Sequence, residues 1–260
     1  QFFQADITDR EALEAVFAKF APRYVIHHAA QIDVSRSVAD PGHDAKVNIE
    51  GSINVLSASH KSGVRKVVYA SSAALYGDPE YLPVDEDHPV SPLAPYGASK
   101  HTVEHYLKIF KSLYNLPYVA LRYSNVYGPR QDAKGEGGVV AIFADRLRRG
   151  EGVRIYGDGE QTRDFIYVKD EVAANLLALA SPYSGIVNVS GASEISINSL
   201  FETMVRVHDK TVGCTHVPER PGEIRRSILA NDRARTHLGW APVTSLEAGL
   251  RETLAAQAEA

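Results

Sequence analysis

Tyr96 and Lys100 stand four residues apart, in a Tyr-x-x-x-Lys arrangement. On a helix that spacing puts the phenol and the ammonium on one face. A positive charge beside a phenol favours the phenolate and lowers its pKa, so the tyrosine could take a proton near neutral pH. A serine-rich segment, Tyr69-Ala70-Ser71-Ser72-Ala73-Ala74-Leu75-Tyr76-Gly77, lies upstream and offers Ser72 as a hydroxyl partner. Alone, a Tyr and a Lys at this spacing decorate many helices. The surrounding elements decide whether they form a site.

Those elements alternate. Residues 1–6 read as the end of a strand. Thr8 and Glu11 have the spacing of a capping box, with Thr8 as N-cap, ahead of an amphipathic helix running to Phe20. Residues 24–30 form a compact apolar run, expected to be a buried strand of a parallel sheet. A helix over residues 43–62 is stopped by Gly63, and residues 65–71 make the next strand. Residues 78–95 are a loop rich in Pro, Asp and Glu. Helix 96–114 carries Val103, Tyr106, Leu107, Phe110, Leu113 and Tyr114 at helical spacing, and strand 118–123 follows. The pattern predicts an α/β fold with a doubly wound, Rossmann-like parallel sheet. Beyond Gly128-Pro129 the texture changes: helix 139–149, strand 153–156, a turn at Gly157-Asp158-Gly159, helix 170–180, strand 186–189, then helix and loop. The expected division is a dinucleotide-binding unit of residues 1–128 and 165–190, with a smaller substrate lobe of residues 129–164 and 191–260.

Composition narrows the function classes. The chain has 260 residues, 44% hydrophobic and 23% charged, enough for a sizeable core. A net charge of −4 without long runs of either sign argues against nucleic-acid or membrane-surface partners. The single cysteine, Cys214, precludes an intrachain disulfide and suits a reducing, cytoplasmic setting. No apolar run approaches the roughly 20 residues a membrane span needs, and no signal peptide is visible. Residue 1 is Gln and the sole methionine is Met204, so the expected natural start lies elsewhere. His27 and His28 are adjacent, would point to opposite faces of a strand and make a poor chelate, so no metal is expected.

Six segments together resemble the extended short-chain dehydrogenase/reductase family, in particular its UDP-glucose 4-epimerase-like, NAD-dependent members. They are Asp6-Ile7; His28-Ala29-Ala30-Gln31; Ser71-Ser72 with Tyr76-Gly77; Tyr96 with Lys100; residues 121–130; and residues 157–164. The likeness runs from residue 1 to Leu238-Gly239-Trp240-Ala241-Pro242. It implies NAD as cofactor and a UDP-sugar as substrate. Tyr96 would be the base at the sugar 4-hydroxyl, Lys100 would hold the nicotinamide ribose and depress the Tyr96 pKa, and Ser72 would align the reacting oxygen. Asp6 and Ile7 would flank the adenine. Ala29, Ala30 and Gln31, supported by Asn48, would line the cofactor, as would Ala70, Ser71 and Tyr123. Asn125, Arg163 and Arg220 would meet the diphosphate. Val139, Arg154 and Tyr156 would wrap the uridine, and Glu223 would accept from ribose hydroxyls. Ser227 stands where some epimerases carry a bulky Tyr, leaving room for a 2-acetamido group.

The resemblance also separates chemistries. Related 4,6-dehydratases carry an Asp-Glu pair, and related decarboxylases a Glu, where this chain has Ala73 and Ala74. A methyl group cannot transfer protons. Related threonine dehydrogenases show Arg-Tyr-Pro-Gly in place of Arg122-Tyr123-Ser124-Asn125, which favours a sugar nucleotide. A UDP-glucuronate epimerase, an NAD-dependent dehydrogenase and a catalytically silent association module remain alternatives. Family members open with a Gly-rich strand–turn–helix that carries the pyrophosphate. This chain shows no such turn, so an N-terminally incomplete sheet is expected. A dimer through helices 43–62 and 96–114 is implied as well.

Overall fold

The computed structural model describes residues 1–133, 138–209, 212–219 and 224–258. Helix α1 (Arg10–Phe20) leads to strand β1 (Tyr24–His27), and helices α2 (Val34–Ala39) and α3 (Pro41–Ala45) follow. A π-helical turn over Lys46–Glu50 runs directly into α4 (Gly51–Lys61), and β2 (Lys66–Ser72) comes next. Helix α5 (Pro95–Tyr114), β3 (Tyr118–Tyr123) and the short β4 (Asn125–Tyr127) complete the first half. The second half comprises α6 (Val139–Arg149), β5 (Val153–Tyr156), β6 (Thr162–Arg163), β7 (Phe165–Tyr167) and α7 (Val168–Ala180). Then come β8 (Gly185–Val189), β9 (Ile195–Ser196), α8 (Ile197–His208), β10 (Cys214–Val217), α9 (Asp232–Leu238) and α10 (Leu246–Ala258).

Strands β1, β2, β3 and β8 form an all-parallel sheet in that spatial order. Alternate side chains of the central strands serve two cores, because successive Cβ atoms point to opposite faces. Val67, Tyr69, Tyr118 and Ala120 pack with Leu56 of α4 and Val103 and Leu107 of α5. Val68, Val119 and Leu121 pack with Ala174 and Ala178 of α7 and with Trp240. Helices therefore cover both faces, the α/β, Rossmann-like arrangement expected of strand–helix alternation. A third core joins α6, α8 and α10 to β5 and β7 through Phe143, Leu147, Ile155, Leu200, Met204 and Leu250. Strand β7 serves two cores: Phe165 and Tyr167 face the third, Ile166 the second.

Four local expectations change. Residues 1–6 form no strand, since no described strand pairs with them. The first helix is capped by Asp9, whose carboxylate accepts from Ala12 N at 3.0 Å, while Thr8 donates through both its N–H and its hydroxyl to Asp6 Oδ1. A carboxylate acceptor at Asp9 displaces the cap by one residue. Strand β1 stops at His27 and is an edge strand, so Tyr24 and Ile26 are exposed rather than buried. The helix expected over 43–62 starts at Pro41, contains the π-turn and is preceded by a separate helix, α2.

Candidate functional site

The carboxyl ends of parallel strands are where α/β sheets bind ligands. Ser72 ends β2, and the amino end of α5 is brought against it. Gly97 makes this approach possible: a Cβ there would sit 2.5 Å from the Ala74 carbonyl oxygen and 2.9 Å from Pro92 Cβ. Only a residue lacking Cβ lets the first turn of α5 lie so close. The Ser72 hydroxyl accepts from Ala74 N at 3.2 Å and lies near enough to the Tyr96 phenol to pull its pKa down. Tyr96 and Lys100 share a face of α5, as their spacing predicts. Lys100 is buried, with Nζ 5.8 Å from the Tyr96 ring centre and 5.1 Å from that of Tyr69.

One expectation is corrected. The Tyr96 pKa lies above its ordinary value, because burial penalises the phenolate more than the Ser72 hydrogen bond favours it, and the Asp44 charge adds to the rise. Lys100 does not relieve this: its Nζ donates to Ala70 O at 2.8 Å instead of the phenol. Burial in turn brings the Lys100 pKa down to about 8, against the opposing charge of Asp44.

Beneath these residues lies a polar network centred on Asn48. Asn48, within the π-turn, accepts from Gln31 N at 2.8 Å. Its amide donates to Gln31 O, Asp44 Oδ1 and Ser99 Oγ, each at 3.0 Å. Ser99 donates onward to Tyr96 O at 3.0 Å, and Tyr96 N donates to Ser37 Oγ at 3.2 Å. Both backbone groups of Tyr96 are thus held by side chains. The π-turn explains Asn48: an extra residue per turn re-aims side chains, a device frequent at functional sites. Asp44 is buried, and its Oδ2 has no hydrogen-bond partner among the described residues.

A second network locks the remaining side of α5. Glu104, four residues past Lys100, accepts from Ser71 Oγ at 2.6 Å and pairs with Arg122. Arg122 Nη1 donates to Tyr76 OH at 2.8 Å, and Tyr76 donates to Asn188 Oδ1 at 2.7 Å. Sequence offers a faint signal for Glu104, which continues the four-residue spacing of Tyr96 and Lys100, and none for Arg122 as its partner.

The other expected site residues fall into groups. Exposed Asp6 is held to Thr8, and the Ile7 carbonyl accepts from Asn54 at 3.1 Å. Ile7 packs where a Cβ on Gly51 would come within 2.7 Å. Ala29 and Ala30 follow β1, exposed and half-buried, and Gln31 is buried. Ala70 supplies its carbonyl to Lys100, and Ser71 its hydroxyl to Glu104. Tyr123 turns its ring to the opposite sheet face, where its hydroxyl donates to Asn175 Oδ1 at 3.1 Å, beside His28. His27 instead bonds Ser52 Oγ at 2.9 Å on the α4 side. Asn125 is exposed on β4, Arg154 is exposed on β5 with Tyr156 half-buried beside it, and Val139 packs on the third core. Arg163 Nη1 donates to the carbonyls of Thr162 and Ile224, at 2.7 and 2.8 Å. Ser227 is half-buried. Arg220 and Glu223 lie outside the described residues.

The donor set fits the nicotinamide-ribose end of a dinucleotide. A lysine ammonium with two donors beyond its Ala70 bond, a tyrosine hydroxyl and small alanines converge at the carboxyl edge of β1 and β2. Residues 1–190 match the family model described as NAD dependent epimerase/dehydratase family. The chain is 41% identical to a UDP-glucose 4-epimerase of Mycolicibacterium smegmatis, over 98% of this chain and 82% of that protein. It superposes with a TM-score of 0.97, at 42% identity, on the UDP-glucose 4-epimerase of Thermotoga maritima solved with UDP-glucose, covering 99% of this chain and 84% of that one. A UDP-N-acetylglucosamine 4-epimerase from Methanobrevibacter ruminantium, solved with UDP-N-acetylmuramic acid, gives a TM-score of 0.93 at 37% identity, covering 98% and 82%. With this match across most of its length, the chain belongs to the NAD dependent epimerase/dehydratase family.

Proposed function

We propose that this chain inverts C4 of a UDP-hexose in an NAD-dependent reaction. The observation that carries this reading is the meeting of Ser72, Tyr96 and Lys100 at the end of β2, with Ala73 and Ala74 beside them in place of groups that could eliminate water. NAD, when bound, supplies reversible hydride acceptance. Tyr96 takes the proton from the sugar hydroxyl as that oxygen becomes a carbonyl, and returns it after the sugar has turned. Ser72 holds the same oxygen. A buried phenol needs an adjacent positive charge to act as a base. Lys100 supplies it by swinging from the Ala70 carbonyl towards the phenol and the ribose.

Asn125, Val139, Arg154, Tyr156, Arg163 and Ser227 are proposed to receive the UDP-sugar, and the similarity to a UDP-N-acetylglucosamine 4-epimerase supports acetamido sugars as further substrates. The division at 1–128 with 165–190 against 129–164 with 191–260 is proposed on the same footing. A homodimer through α4 and α5 is supported by Ile109, Leu113 and Tyr114, which stand exposed along α5. A cytoplasmic setting is proposed from the cysteine usage. Among the described residues, no helix is long and apolar enough to cross a membrane.

The test is conversion of UDP-galactose to UDP-glucose with added NAD, after the nucleotide content of the purified protein has been identified by mass. Turnover that is lost in Tyr96→Phe supports the reading. Net NADH formation without inversion would replace it with a dehydrogenase.

A further inference from the structure

Asp44 is a buried charged group to which the proposed epimerisation gives no task. It lies on α3 and is 1% exposed. Its Oδ1 accepts from Gln31 Nε2 at 2.9 Å and from Asn48 Nδ2 at 3.0 Å. Its Oδ2 has no hydrogen-bond partner among the described residues. Tethering Gln31 and Asn48 takes one oxygen, which an asparagine would offer as well. Burying a full charge with one oxygen unused is costly, and such a group in a folded protein calls for a reason.

That reason lies across the contact between α3 and α5. The Asn48 amide that donates to Asp44 also donates to Ser99 Oγ at 3.0 Å, and Ser99 precedes Lys100. Lys100 is buried too, and its Nζ donates to the Ala70 carbonyl, a neutral partner. The other titratable groups around it are spoken for. Glu104, on the same helix, is taken by two hydrogen bonds from Arg122 of β3. His27 of β1 has its pKa lowered to about 3, chiefly by burial, and is neutral at pH 7. Tyr69 of β2 presents its ring 5.1 Å from Nζ, and burial keeps its hydroxyl protonated. Asp44 is left as the uncompensated anion. A negative charge favours the protonated form of its neighbours, and this one acts on both Lys100 and Tyr96.

We propose that Asp44 is a positioning residue for the reaction, an electrostatic partner that keeps the Lys100 ammonium charged inside the site without bonding to it. The proposal rests on the epimerase reading above. A carboxylate in direct contact would hold the ammonium away from the phenol. Asp44 Oδ2 makes no such contact, so Lys100 stays charged and remains free to turn from Ala70 towards Tyr96 and the ribose.

The test is Asp44→Asn, which keeps the Oδ1 acceptor and removes the charge. The first readout is the pH profile of kcat/KM for UDP-galactose. Without the negative charge both Tyr96 and Lys100 release their protons more easily, so the acid and alkaline limbs should both move to lower pH, by about one pH unit. A purely structural role would lower the profile without moving its limbs. The second readout needs no turnover: urea midpoints at pH 7 for wild type, Asp44→Asn, Lys100→Met and the double variant. Asp44→Asn leaves a buried ammonium without its anion, so the midpoint it loses should be at least halved when residue 100 carries no charge. Limbs that stay in place would overturn the proposal, and so would additive midpoint shifts. If Asp44→Asn does not fold alone, folding restored by Lys100→Met supports the proposal, and folding absent from both variants overturns it. A wild type without epimerase activity would sink the epimerase reading alone, since the midpoints still decide whether Asp44 and Lys100 are coupled.

Discussion

The Glu104 carboxylate grips the Arg122 guanidinium in two hydrogen bonds, Nε to Oε1 at 2.9 Å and Nη2 to Oε2 at 2.6 Å, with both side chains buried. Glu104 lies one turn beyond Lys100, and its third partner, Ser71, precedes Ser72. The pair therefore fixes α5 against the ends of β2 and β3, where the reacting groups must meet. Glu104→Gln leaves the Arg122 charge buried without its counterion and should cost roughly 3–5 kcal/mol of stability. Urea denaturation measures this. Replacing both partners, as in Glu104→Met with Arg122→Leu, should cost less than the single change. A double variant as damaged as the sum of two singles would contradict the argument.

Tyr96→Phe keeps the ring and the packing but removes the proton acceptor. Epimerisation should fall by about 10²–10⁴-fold, with the thermal midpoint little changed. A UDP-galactose assay beside a melting curve separates the two effects. Retention of more than a tenth of the wild-type rate would remove Tyr96 from the proposed role.

Gly97→Ala tests the approach of α5 to β2. The added methyl meets the Ala74 carbonyl at 2.5 Å and must push the two elements apart. The expected outcome is a loss of kcat exceeding the rise in KM, because Ser72 and Tyr96 separate while the lobe residues stay in place. Unchanged kinetics would show that the close approach is dispensable.

Burial lowers the Lys100 pKa to about 8. The ammonium is needed beside the phenol, so kcat/KM should decline on the alkaline side with an apparent pKa near that value. The lowered pKa also bears on stability. The folded state binds fewer protons than the unfolded one between about 8 and the ordinary 10.5, so this group's contribution to stability rises with pH across that window. Activity and stability should therefore move in opposite directions there. A pH–rate profile flat up to pH 10 would refute the assignment.

Acid should remove two contributions to stability in separate steps. Burial, aided by the charges of Lys100 and His28, lowers the His27 pKa to about 3. For Glu104, burial alone would raise the pKa, but hydrogen bonds from Arg122 and His101 outweigh it and bring it to about 2. Both folded values lie below the unfolded ones, so the unfolded state binds more protons. The stability from His27 is present above pH 6.5 and lost as pH falls towards 3, and that from Glu104 is lost from 4.5 towards 2. Burial raises the Asp164 pKa to about 7, so that group gains stability as pH falls from 7 towards 3.8 and opposes the His27 effect; the test is therefore the thermal midpoint of wild type against His27→Gln from pH 7 to 3, with the gap between them expected to narrow as pH falls. A gap between the two midpoints that stays constant between pH 6.5 and 3 would exclude the His27 contribution.

The sequence by itself determined what depends on neighbours along the chain. The 3.6-residue period of 96–114 made α5, and that period alone placed Tyr96 and Lys100 on one face. The apolar run at 118–123 and the alternation of strands with helices were enough for a doubly wound parallel sheet, and the ordered motifs were enough for the family. Tertiary structure decided what depends on neighbours across space. No local pattern marks Arg122 as the partner of Glu104, or Gln31, Asp44 and Ser99 as the partners of Asn48, because they come together only when three helices pack on two strands. The direction of the Lys100 ammonium is of the same kind. Spacing put it beside Tyr96, but the Ala70 carbonyl, delivered by β2, offered a buried donor a closer acceptor. Burial, a property of the whole fold, then set the pKa values of both residues.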